Sequence, residues 1–322
     1  MTSAEKFLSM LIALVAFAAV IAVILFLART FGERNGGRGT AWAFMAPVVL
    51  LLSVGLVFPA LMTVYQSFLD ARGDNFVGLA NYATIFTSPD QLTVLRNTVL
   101  WVVLTPFVST AIGLIYALLV NGARLEAPAK ALIFLPMAIS FVGAAIIWKF
   151  VYEFRPLQGN VQQIGLVNQI IVWLGGEPVQ LLIESPLNTV LLIVILIWIQ
   201  AGFAMTVLSA AIKAIPDEII EAARLDGVGV VQMFRFVTLP TIRPAVVVVL
   251  TTIGIATLKI FDIVQVMTGG QFNTSVIANE FYSQTFRSDN QGLGAALAVL
   301  LFLLVIPIVA YNVRHLRSSE AR

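Results

Sequence analysis

Residues able to do chemistry are sparse in this sequence, and they collect in two places. The first is the stretch KAIPDEIIEAARLDGVGVVQMFRFVTLPTIRP, from Lys213 to Pro244. Pro216 suits a first helical turn, where its missing N–H would have no partner, and Asp217, Glu218 and Glu221 set negative charge at the positive end of the helix dipole. Ala222 and Ala223 leave a small face that another surface can approach, and Gly227 after Asp226 is the residue type that permits a left-handed stop. A second short helix follows, with Val230 or Val231, Phe234 and Val237 at helical spacing, until Pro240 and Pro244 block continuation into the next span. The expected product is a short helix, a glycine turn and a second helix projecting from the membrane. The second place lies inside apolar segments, where Trp198, Gln200 and Phe203 share one stretch and Thr257 and Lys259 another. At 1.5 Å per residue, Trp198 lies roughly 14 Å and Gln200 roughly 17 Å from one membrane face, with Thr257 roughly 14 Å and Lys259 roughly 11 Å from the same face. Stacking and hydrogen-bonding groups would then meet near the midplane, where transport sites tend to lie. The alternative is ordinary packing, with Trp198 and Phe203 as core or lipid-facing aromatics and Thr257 bonded to its own helix. Lys259 and Asp262, three apart on one expected helix face, would pair and reduce the cost of charge in lipid. Lys149 would extend its amine to the headgroups, and the lone His315 sits among anchoring arginines.

The elements that must hold these residues are membrane helices. The chain of 322 residues is 59% hydrophobic and 11% charged, against roughly 25% charged for a soluble domain, which excludes a water-soluble globule. With no Cys and one His, disulfides, thiol chemistry and a Cys/His metal site are excluded too. There is no G-x-x-x-x-G-K-S/T loop, so the chain is not expected to bind or split ATP, and no H-E-x-x-H helix or paired carboxylates suggest an enzyme. No metal or cofactor is expected. A formal charge of +2 is too small to suggest nucleic acid as a partner. The expected fold is an all-α polytopic membrane protein of about seven transmembrane helices, near Leu8–Ala28, Trp42–Val64, Val99–Val120, Ala131–Val151, Thr189–Ile212, Ala245–Val266 and Leu293–Val313. Segments 29–41, 121–130, 213–244 and 314–322 hold twelve Lys and Arg against five in the alternate segments. That bias sets the first group in the cytoplasm, the N-terminus outside and the C-terminus inside. Residues 1–41 read as an N-terminal helix with a basic linker, separate from the body at 42–322. An ion-coupled secondary transporter would need a buried acid, for which Asp262 is the candidate. A passive channel would need a pore ring or filter sequence.

Glu221-Ala222-Ala223, then Gly227, then Val237-Thr238-Leu239-Pro240 form a spaced string that resembles the EAA loop of the integral-membrane subunits of ABC importers, with Val where Ile is commoner. Pro47 with Pro59, Ser67-Phe68 and Phe76-Val77-Gly78-Leu79-Ala80-Asn81-Tyr82 resemble the early part of the carbohydrate-uptake permeases, and Met267-Thr268-Gly269-Gly270 the segment after their penultimate helix. Within that family the chain is similar to the maltose-type larger subunit and to its α-glucoside version, with an extra N-terminal helix and without a large inserted external domain. The resemblance implies the type I importer transmembrane fold in a bacterial or archaeal cytoplasmic membrane. It implies as partners a second homologous permease in a heterodimer, a pair of cytoplasmic ABC ATPase copies and an extracytoplasmic solute-binding protein. It also implies that the EAA helix sits in a cleft on the ATPase, with Glu221 as charge partner, Ala222 and Ala223 as the packed face, Gly227 as hinge, and Asp226, Leu239 and Pro240 in the same joint. The solute would be a sugar, whose hydroxyls and C–H faces suit Trp198, Gln200, Phe203, Thr257 and Lys259. Trp198 matches an aromatic of the family's sugar-lining pattern, whereas Gln200, Thr257 and Lys259 do not match it residue for residue.

Overall fold

The computed structural model describes residues 22, 38–156 and 165–320, so the helix expected at Leu8–Ala28 and its basic linker through residue 37 lie outside the described residues. Among the described residues every regular element is helical, apart from a single antiparallel bridge between Leu69 and Phe76. The chain divides into two compact units, 1–65 and 66–322. The first carries α1 (Arg38–Leu52), a π turn (Ser53–Val57) and α2 (Phe58–Gln66). Together they form one apolar span, Phe44–Gln66, with no residue of the apolar window buried. The π turn accommodates Pro59. A proline ring collides with the carbonyl four residues back, here Gly55, and the wider turn, in which the Phe58 N–H reaches Ser53 O, opens room for it.

The second unit runs α3 (Ala80–Thr87), α4 (Pro89–Val120), α5 (Glu126–Phe134), a 3-10 turn (Leu135–Ala138), α6 (Phe141–Val151), α7 (Leu166–Trp173), α8 (Leu187–Lys213), α9 (Asp217–Leu225), α10 (Val230–Gln232), a π turn (Met233–Thr238), α11 (Leu239–Leu258), α12 (Asp262–Met267), α13 (Ile277–Phe286) and α14 (Gln291–Glu320). The central helix is α8, buried at intervals from Asn188 to Ser209. Around one end Leu192, Ile193, Leu196 and Ile199 pack on Trp101, Ile263 and Val264, and towards the other Met205 and Leu208 pack on Ala117, Ile242, Val249 and Ile253. Small residues let α4 and α8 touch. A Cβ on Gly113 would stand 2.5 Å from Ala204 Cβ and 2.6 Å from the Met205 backbone nitrogen.

Among the described residues, five helices are long and apolar enough to cross a membrane, or six if one bent pair counts as a span. This accounts for the six stretches expected after residue 41, with three corrections. Ala131–Val151 is not straight: Glu126–Ala138 and Phe141–Val151 meet at 101°, because Pro136 tightens the chain into a 3-10 turn and Ser140 caps the next helix by accepting the Gly143 N–H at 3.1 Å. The expected sixth span does not reach Val266; its helix ends at Leu258. Lys259 then stands at a helix C-terminus and Asp262 in the first turn of α12, so each charge complements a helix dipole, and they do not share the face that a pair within one helix would need. Finally, Pro240 and Pro244 do not block continuation. Val230–Leu258 is a single 29-residue helix, because the π turn loosens the backbone at Phe236, the carbonyl Pro240 would otherwise strike.

Candidate functional site

The stretch after Lys213 folds as a helix, a glycine turn and a second helix. Pro216 takes an extended backbone just before the helix, with φ −57° and ψ 137°, one position earlier than the first-turn placement expected from sequence. Asp217 and Glu218 then occupy the first turn of α9. Gly227 has φ +75°, its N–H donates to Arg224 O at 3.0 Å, and the Val228 N–H donates to Ala223 O at 3.2 Å. These bonds close the helix end with the left-handed glycine stop. Asp226 occupies the C-cap. Ile215 is buried, Ile220 packs against the core around Met205, and Ala223 is half-buried. Glu221, Ala222 and Asp226 face outward, while Leu239 is half-buried and Pro240 exposed in the helix that follows. Between these polar groups lie large apolar side chains in the open: Leu225 and Val230 are each 89% exposed, and Val231, Phe236 and Ile219 are exposed as well. Ile219 and Leu225 stand on α9, whereas Val230, Val231 and Phe236 open the helix Val230–Leu258, which is apolar enough to cross a membrane.

The five residues expected to meet a solute do not form one cluster. On α8, residues two apart point about 200° apart around the helix, so Trp198 and Gln200 face opposite ways despite their matched depth. Trp198 lines a cavity of about 430 Å³ with Trp148, Tyr116, Ile112, Pro136 and Ala201. The Trp148 and Trp198 rings meet edge to face with centroids 5.7 Å apart. Gln200 is buried elsewhere on α8, and Phe203 packs on the core around Met205 and Leu208. Thr257 is fully buried and its hydroxyl donates to Ile253 O at 2.7 Å, so it is spent within its own helix. Lys259 is exposed at the end of α11. The depths assigned to Thr257 and Lys259 assumed a helix running to Val266; with the helix ending at Leu258, that ruler does not apply.

Residues 109–317 match the family described as the binding-protein-dependent transport system inner membrane component. The chain belongs to that family. Over 277 residues, 86% of this chain and 99% of the relative, it is 49% identical to the osmoprotective compounds uptake permease protein GgtC of Synechocystis sp.. Over 276 residues, 85% of this chain and 81% of the relative, it is 47% identical to the alpha-glucoside transport system permease protein AglF of Rhizobium meliloti. Its fold is that of an ABC importer transmembrane domain. A bacterial ABC transporter involved in the import of the acidic polysaccharide alginate superposes with a TM-score of 0.72 over 89% of this chain and 97% of that one, at 22% identity. As a member of this family the chain is a multi-pass inner-membrane permease subunit of an importer, which removes the secondary-transporter and channel alternatives.

The permease also rests on buried asparagines whose role is structural. Three fully buried asparagines fasten loops to helices at the end of the bundle away from α9. Asn97 donates to Asn273 O at 2.6 Å and Ser275 O at 3.0 Å, Asn188 to Phe272 O at 2.8 Å, and Asn168 to Glu153 O at 2.8 Å. The segment that Asn97 and Asn188 hold is unusual: Gly269, Gly270, Phe272 and Asn273 all have positive φ, and a Cβ on Gly270 would stand 2.2 Å from Asn279 Nδ2. An asparagine at the edge of an apolar helix was the available signal. The Ser67-Phe68 and Phe76–Tyr82 motifs form one turn, where the Asn81 amide donates to Ser67 O and Leu69 O and the Tyr82 hydroxyl to Ser67 Oγ. In that turn the Asn75 side-chain amide, ahead of the Asp74 backbone N–H, holds the Asp70 carboxyl below its ordinary value of 3.8. A depressed carboxyl contributes stability above its unfolded pKa and loses it as pH falls through the folded value, so this turn loosens only in acid below that ordinary value.

Proposed function

We propose that this permease carries a sugar of the α-glucoside class inward and is driven through the loop at 213–244 by a separate ATPase docked on it. The observation that carries the drive is the pairing of exposed apolar Ile219 and Leu225 with outward-facing Glu221 and Ala222 on one helix, α9, whose end is fixed by Gly227. A surface like this is costly to leave in water and gains area when a cleft closes on it. The chain itself supplies no phosphate-binding loop, so ATP hydrolysis belongs to the partner. Its other partners are a second permease of the same family, in a heterodimer with a pair of ATPase copies, and an extracytoplasmic solute-binding protein. The loop faces the cytoplasm, in keeping with the twelve Lys and Arg of the segments on its side. The substrate class is supported by the alpha-glucoside permease at 47% identity.

Of the five solute candidates, Trp198 has the aromatic wall that a sugar's C–H face requires, shared with Trp148 around the 430 Å³ cavity. Trp198→Ala is expected to raise the half-saturating concentration for a radiolabelled α-glucoside roughly thirtyfold while leaving the chain in the membrane, since a central aromatic contact is worth about 2 kcal/mol and each 1.4 kcal/mol is a factor of ten. Unchanged half-saturation would remove Trp198 from the pathway. The function as a whole is tested by uptake in whole cells. ATP depletion with the membrane potential intact should stop α-glucoside entry, and collapse of the potential with ATP intact should not.

A further inference from the structure

The loop leaves the bundle at Lys213, and Lys213 is held there. Its ammonium pairs with Oε1 of Glu126, the first residue of α5. The same oxygen takes Lys130 at 2.7 Å, and Oε2 accepts the Gly122 N–H at 3.0 Å. Lys130 also donates to Asn121 Oδ1 at 2.7 Å and to Ser209 Oγ, and Ser209 in turn donates to Asn121 at 2.6 Å. One carboxylate therefore gathers the end of α4, the start of α5 and the last turn of α8 at the point from which the loop departs. The side chains of Glu126 and Lys130 are 23% and 24% exposed, and that of Lys213 is 55% exposed. The Glu126–Lys130 half is sheltered, and the Lys213 half is open to solvent ions. A pair as exposed as this adds little to stability. What it fixes is geometry: Ile215 seats the root of the loop in the apolar core around Met205, and the Lys213–Glu126 pair ties that same root to the turn between α4 and α5.

We propose that Glu126 is a positioning residue for the docking loop: by holding Lys213 against the turn between α4 and α5, it makes the loop and the helices behind it move as one body. This rests on the loop being the ATPase joint. With the clamp closed, displacement of α9 is passed to α4, α5 and α8 together. With it open, α9 swings about its root and the bundle lags. Because one arm is exposed, the clamp weakens as ionic strength rises, over the range in which the screening length shrinks from about 10 Å to about 3 Å.

The test uses the whole importer, reconstituted in lipid vesicles with its companion permease, ATPase and binding protein, and reads phosphate release from ATP with and without the binding protein. Glu126→Gln and Lys213→Gln should each lower the stimulation by the binding protein about fivefold or more, the scale of a typical coupling free energy. The double variant should be no worse than either single one, because both remove the same contact. Stimulation in the unaltered importer should fall with added salt, and in Glu126→Gln it should not change with salt. A cysteine at Ala222 is crosslinked to the ATPase in each preparation. If that crosslink is absent from the unaltered importer, the docking loop itself is wrong. If it is present while both variants are stimulated normally, or while salt acts equally on Glu126→Gln, the clamp is overturned. The salt response of the unaltered importer needs no variant to fold, so a flat response also counts against it.

Discussion

Gly113→Leu is expected to leave no folded permease. The Cβ alone would stand 2.5 Å from Ala204 Cβ, 2.6 Å from Met205 N and 2.9 Å from Ala204 C, and two of those three atoms belong to the backbone of the central helix. Backbone atoms in α8 cannot rotate aside as a flexible side chain would, and α8 is fixed on its other faces by Ile242, Val249 and Ile253. Even Gly113→Ala should destabilise by about 1–3 kcal/mol, the usual cost of forcing volume into a packed core. A branched four-carbon side chain requires the two helices to separate along the contact. Size-exclusion profiles of detergent-extracted protein check this. Gly113→Ala should give a diminished, less heat-resistant peak and Gly113→Leu an aggregate, and a normal peak for Gly113→Leu would mean that α4 and α8 do not approach as described.

Gly227→Pro should do the opposite, sparing the fold and abolishing transport. A Cβ at Gly227 meets nothing within 4 Å, so no clash reaches the core. The damage is local, because proline fixes φ near −65° where the glycine has +75° and removes the N–H that bonds Arg224 O. The end of α9 then cannot close, and Leu225 and Val230 are turned away from each other. Membrane abundance should stay near that of the unaltered chain, while α-glucoside uptake falls by about a hundredfold, since the strain is of order 3 kcal/mol and each 1.4 kcal/mol is a factor of ten. Gly227→Ala keeps the N–H and carries only the left-handed penalty of about 1 kcal/mol, so its loss should be smaller. Equal transport by all three would mean that the turn does not transmit force.

The contrast between these two glycines shows what the sequence could and could not reveal. Gly227 follows an acidic, capped helix and precedes an apolar run, and local signals of that kind are enough to place a left-handed stop. Gly113 lies in an unbroken apolar helix, where nothing local distinguishes a contact with α8 from lipid. The same limit explains the span boundaries. Pro240 was expected to end a helix because a proline in a regular α-helix strikes the carbonyl four residues back, but whether a π turn will absorb it depends on tertiary packing. Lys259 and Asp262 looked like a pair because three-residue spacing presumes one continuous helix, and the break between them is invisible until the packing around Ile260 and Ile263 is known. For the solute residues, depth could be measured in residues but azimuth could not, which is why Trp198 and Gln200 appeared to converge. The Glu126 clamp joins positions 121, 126, 130, 209 and 213, and only the fold brings those together.

Coupling through the loop at 213–244 requires Ala222 to lie against a nucleotide-hydrolysing partner while solute is moving. Single cysteines at Ala222 and, as a control, at Leu119 on the exposed face of α4 would be treated with a short bifunctional thiol reagent in vesicles that are importing an α-glucoside. Ala222 should give a crosslinked product containing the ATPase, at a yield that rises and falls with the nucleotide supplied, and Leu119 should give none. Active import with no ATPase captured at Ala222 in any nucleotide state would contradict the account.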